Sequence, residues 1–73
     1  MNTRDNRKSD AELSNREKQI VKLLVNGYST RDIAYGLNIS SETVKTHRKN
    51  IHRKLRTHSV VQLIIKVRDL ELA

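Results

Sequence analysis

From Leu13 to Leu70 the apolar residues recur three and four places apart, and no stretch alternates apolar with polar residues. That spacing is the period of an α-helix rather than the two-residue period of a half-buried strand, so the chain is confined to an all-α fold. The pattern breaks near Gly27, Asn38 and Arg56. Four helices joined by turns of two to four residues follow, as a small bundle-like helix-turn-helix domain without a β-wing.

The punctuation of each helix is written locally. Ser14-Asn15-Arg16-Glu17 is a capping box, in which the serine oxygen accepts from a first-turn N–H and the glutamate reaches back to the cap. Ile20, Val21, Leu23, Leu24 and Val25 then form a buried stripe that stops at Asn26-Gly27, where a left-handed residue ends the helix at little cost. Ser29 and Asp32 repeat the cap logic, Ile33, Ala34 and Leu37 face inward, and small Ala34 lets another helix pass close by. A tight turn is predicted at Leu37 to Ile39, because Gly36 and Asn38 weaken the helix there. Ser40 caps a third helix running to about Arg56, and a fourth begins near Ser59. Residues 1–11 lack periodicity and read as a loosely held polar arm, leaving 12–73 as the domain.

Composition removes most chemistries. At 73 residues the chain is one domain with a thin core. Tyr28 and Tyr35 are its only aromatic residues, so the interior must be Leu, Ile, Val and Ala. Without cysteine there are no disulfides, thiolate metal sites or cysteine nucleophiles, and three histidines alone make a structural zinc a poor fit. No glycine-rich phosphate loop is present, nor a His placed with a carboxylate and a nucleophile, so neither an enzyme, a cofactor nor a small-molecule ligand is expected. No apolar run approaches the ~20 residues of a bilayer span, and MNTRDNRKSD has no apolar signal-peptide segment. A cytoplasmic, nucleoid-associated location is the expectation. The net charge of +7 favours a polyanion, either nucleic acid or an anionic membrane surface.

The third helix sorts that charge. With Val44 at zero and about 100° per residue, Ile51 and Leu55 fall on the same line and face the core. Lys45, Lys49, Arg53 and Thr46 lie on the opposite side, between about 100° and 200°. His47 lies beside the core stripe and reads first as a packed, hydrogen-bonded residue and second as a phosphate contact; Arg48 reads as a flanking residue that packs or snorkels. Every amphipathic helix puts charge outside, but a bland face interleaves acids that make i,i+4 pairs. Here no acid follows Glu42 until Asp69. A polyanionic ligand would relieve the self-repulsion of such a face. A short helix, a tight turn and a longer basic helix suit the B-DNA major groove, about 12 Å wide. RNA fits less well, because its A-form major groove excludes a helix and no aromatics are placed for base stacking.

The same residues resemble a known family. Leu13-Ser14, Arg16-Glu17, Leu23-Leu24, Gly27, Ser29, Ile33-Ala34, Leu37, Ile39-Ser40, Thr43-Val44-Lys45, His47, Ile51 and Lys54-Leu55 are similar to the LuxR/FixJ-type, or GerE-like, helix-turn-helix domain of bacterial transcription regulators. The resemblance spans roughly residues 13–68. It implies sequence-specific binding of double-stranded DNA, with the helix at about 41–56 reading the major groove and the fourth helix forming the dimer contact. Base reading would fall to Lys45, Thr46 and Lys49; lysine suits guanine O6 and N7, and a threonine methyl suits thymine. Phosphate contacts would fall to Thr30, Arg31, Ser41, Thr43 and Arg53. Two departures stand out. Arg56-Thr57 replaces the family's Gly and apolar residue, which predicts a different turn into the fourth helix, and Val60 stands where the family often has a basic residue.

The fourth helix has more large apolar residues than one stripe needs. Leu63, Val67 and Leu70, with Val60 and Ile64 alongside, make one line; Val61, Ile65 and Leu72 make a second. Either both faces are core, or the second meets a partner in a homodimer, with Val61, Ile64, Ile65 and Arg68 as its interface. The rival to DNA reading is a helix-turn-helix module that docks on another regulator or on RNA polymerase, the latter also a conceivable further partner of a DNA reader.

Overall fold

The structure is a computed structural model and describes residues 12–70. It contains four helices: α1 (Asn15–Val25), α2 (Thr30–Leu37), α3 (Ser41–Leu55) and α4 (Val60–Leu70). No strand occurs among the described residues, so the all-α, helix-turn-helix expectation holds. The arm at 1–11 and Leu72 lie outside the described residues.

Each helix starts where a hydroxyl can satisfy first-turn N–H groups. Ser14 Oγ accepts from the Glu17 N–H at 3.1 Å while Glu17 Oε1 accepts from the Ser14 N–H at 2.8 Å. Ser29 and Asp32 form the same reciprocal pair at 3.1 and 3.3 Å. Ser40 Oγ accepts from the Thr43 N–H at 3.0 Å, and Ser59 Oγ accepts from the Gln62 N–H at 3.1 Å. All four starts lie at the serines read from the sequence.

The first three helices end in one kind of turn. Gly27, Asn38 and Arg56 have positive φ angles of 93°, 59° and 57°. In each case the next residue donates its N–H back across the last turn: Tyr28 to the Leu23 carbonyl, Ile39 to that of Ala34 and Thr57 to that of His52, all at 3.0 Å. These are Schellman closures, which satisfy carbonyls left over at a helix end. Arg56-Thr57 therefore does not bring a different kind of turn into α4. It makes the same left-handed turn with a residue that carries a Cβ. Thr57, buried at 5% exposure, adds a 2.7 Å hydrogen bond between its Oγ1 and His52 Nδ1 that clamps the turn.

A left-handed conformation costs an L-residue about 1–2 kcal/mol, and the Arg56 side chain is exposed. Arg56→Gly is accordingly expected to stabilise the domain by about 1 kcal/mol in urea unfolding, after allowance for glycine's larger unfolded-state entropy. An unchanged or lowered urea midpoint would refute this account of the turn.

The core is Leu13, Ile20, Val21, Leu24, Ile33, Ala34, Val44, Ile51, Leu55, Leu63 and Val67, with half-buried Leu23, Val25, Leu37 and Ile39 packed against it. It contains no aromatic residue. α1 and α3 each pack on all three other helices, whereas α2 and α4 do not meet. Buried Ala34 lies on α2, which packs closely against α3. With Val44 and Ile51 wholly buried and Leu55 nearly so, the opposite side of α3 is turned to solvent.

Candidate nucleic-acid interface

α3 presents its cations as its periodicity requires. Lys45, Thr46, Lys49 and Arg53 are all exposed, opposite the Val44, Ile51 and Leu55 line. Glu42 is the one acid of α3, and its carboxylate lies 3.6 Å from Lys45 Nζ with both side chains well exposed. Pairs of that kind contribute little, because water and salt screen them. Lys49 and Arg53 have no salt-bridge partner among the described residues.

Ser41 and Thr43 are exposed in the first turn of α3. The Thr43 hydroxyl lies 2.8 Å from Ser40 Oγ, so one O–H of that pair donates to the other and one stays free for an outside acceptor. Arg31 is exposed on α2, and Thr30 beside it is half-buried. His47 is half-buried beside the core stripe, as its angle on the helix requires, and its ring makes no side-chain hydrogen bond among the described residues.

Two arrangements escaped the sequence reading. Arg48, expected to pack or snorkel, donates from a terminal guanidinium nitrogen to Thr30 Oγ1 at 2.6 Å. This bond ties the start of α2 to the middle of α3. The second is the pair of Lys54 Nζ and Glu17 Oε1 at 2.8 Å, with side chains only 21% and 7% exposed. It locks α3 onto the cap of α1. Burial pushes the Glu17 carboxyl up, but the Lys54 hydrogen bond and charge and the Ser14 N–H and hydroxyl outweigh it, leaving Glu17 below its ordinary value. Burial, then the charges of Arg48 and His58, push His52 down, which favours the neutral ring.

On α4, Leu63 and Val67 are buried, Ile64 is half-buried, and Val61, Ile65 and Arg68 are exposed. Val61 is 66% and Ile65 55% exposed, so the second apolar line of this helix does not lie in the monomer's core. No described helix is long and apolar enough to cross a membrane.

Comparison with known proteins agrees with this geometry. The family model described as bacterial regulatory proteins, luxR family, matches residues 11–67. Over 56 residues the chain is 46% identical to the "Uncharacterized response regulatory protein YgeK" of Escherichia coli, covering 77% of this chain and 38% of that protein. It is 47% identical over 60 residues to the Fimbriae Z protein of Escherichia coli, covering 82% and 29% respectively. It is 43% identical over 54 residues to the transcriptional regulatory protein FixJ of Azorhizobium caulinodans, covering 74% and 26%. The chain thus spans less than two fifths of the length of these relatives. With four helices, a basic α3 turned outward and a family match over nearly all of its described length, the chain belongs, as a helix-turn-helix domain, to the luxR family of bacterial regulatory proteins.

Proposed function

We propose that the domain binds double-stranded DNA sequence-specifically as a homodimer, with α3 in the major groove. The observation that carries this reading is the solvent-facing row of Lys45, Lys49 and Arg53, answered on α3 by Glu42 alone. Lys45, Thr46 and Lys49 meet base edges. Thr30, Arg31, Ser41, Thr43 and Arg53 hold the phosphates and set the register of the helix. A major groove about 12 Å wide admits one helix with its side chains, and α3 is the longest and most basic of the four.

The experiment is a titration of a random-sequence duplex, followed by fluorescence polarisation at several salt concentrations. Displacement of counterions makes log affinity fall with log salt by about 0.9 per phosphate neutralised. A flat dependence would overturn the DNA reading and favour a module that docks on another regulator or on RNA polymerase.

The dimer contact runs through Val61, Ile64, Ile65 and Arg68. Val61 and Ile65 are one turn apart on α4 and leave an apolar strip with an arginine at its end. Apposed about a two-fold axis, the strip buries itself and carries two α3 helices to two half-sites. Ile65→Glu is expected to weaken association and DNA affinity together while leaving helicity intact, because Ile65 is not a core residue. Unchanged sedimentation and unchanged binding would rule the interface out.

A further inference from the structure

We propose that Arg48 is a positioning residue for DNA binding, acting through Thr30 rather than by touching DNA itself. The assignment rests on the DNA-binding reading above and adds to it a role for a side chain that the reading leaves unused. On the α3 wheel Arg48 lies about 40° from the Val44 line, well short of Lys45 at about 100°, so it leans towards α2 instead of the outward face. Its guanidinium donates to Thr30 Oγ1 at 2.6 Å, across 18 residues of sequence, and both residues are half-buried.

A threonine hydroxyl has two lone pairs and one hydrogen. The Arg48 N–H occupies a lone pair, which leaves the Thr30 O–H free to donate outward. A charged donor also polarises that O–H and strengthens the bond it gives. Threonine has few χ1 choices, and a short bond to a tethered guanidinium selects among them. Arg48 thereby presents a pre-oriented donor to a phosphate oxygen, and ordering it in advance removes an entropic cost from binding.

A double-mutant cycle on DNA affinity tests the assignment, with the full chain, a short random-sequence duplex and polarisation as the readout. Arg48→Met keeps the stem and removes the donors; Thr30→Val keeps the shape and removes the hydroxyl. Each is expected to weaken binding about tenfold, and the double variant no further than either alone. Arg48→Lys, which retains a donor, is expected to recover part of the loss. The salt slope of Arg48→Met is expected to match that of the wild type, whereas loss of a direct phosphate contact would lower it by about 0.9.

Losses that multiply to about a hundredfold in the double variant, or a slope reduced by a full phosphate, would overturn the assignment. Should Arg48→Met fail to fold by circular dichroism, Arg48→Ala, which also removes the donors, with and without Thr30→Val completes the same cycle. A wild-type protein without salt-dependent binding sinks the DNA reading itself, whereas a binding wild type with additive variants sinks only the role of Arg48.

Discussion

Glu17→Ala is expected to destabilise the domain by about 3 kcal/mol. Removing one member of a buried ion pair typically costs about 3–5 kcal/mol, because the remaining charge is left desolvated. Here Lys54 keeps 21% exposure and can swing towards water, which places the cost at the lower end. The variant also strips the Ser14 N–H of its acceptor at the start of α1. For a domain of this size total stability is roughly 3–9 kcal/mol, so a change of this magnitude removes from about a third of it to nearly all of it. Glu17→Gln retains an oxygen for Ser14 and Lys54 and should cost only about 1 kcal/mol. Urea unfolding of the three proteins decides the matter; a loss below about 1 kcal/mol for the alanine variant would refute the weight given to the pair.

The same carboxyl sets an acid limit. Because its folded-state pKa is depressed, ionised Glu17 stabilises the native state at neutral pH. That contribution is present above the ordinary glutamate value of about 4.3 and is lost as the pH falls through the lower native value. The wild type should therefore lose this increment on the acid side, and Glu17→Gln should lack that component of the profile.

Lys49→Ala is expected to cost about 1–3 kcal/mol on the preferred site and to flatten base preference, because a base-edge contact carries sequence information. Arg31→Ala should weaken all duplexes alike and reduce the salt slope by about one phosphate. Selection of bound fragments from a random library, followed by affinities for the winning and a scrambled duplex, distinguishes the two. Equal losses on both duplexes for both variants would overturn the division of roles along α2 and α3.

Much of this fold is legible in the residues themselves. The four serine caps are marked by hydroxyls preceding the apolar periodicity, and the Gly27 and Asn38 turns by residues that tolerate left-handed backbone. The Arg56 turn is not, because nothing in an arginine advertises positive φ. Its cause lies on either side of it: Leu55 is buried in the core, and Thr57 is buried and hydrogen-bonded to His52 in the last turn of α3, so the residue between them takes the conformation that joins α3 to α4.

The pairs between helices are likewise beyond local reading. Glu17 shows its role at the cap and Lys54 its place in a basic helix, but 37 residues separate them. Arg48 stands apart from Lys45, Lys49 and Arg53 by its angle on the helix, but that angle does not name its partner, the threonine that α2 places within 2.6 Å of it. By itself, the sequence determined the helices, their starts, the apolar line of α3 and the basic face opposite, since these follow from periods of a few residues. Only the tertiary structure decided which of the protein's own oxygens Arg48 and Lys54 bind, because that choice depends on which helix lies alongside.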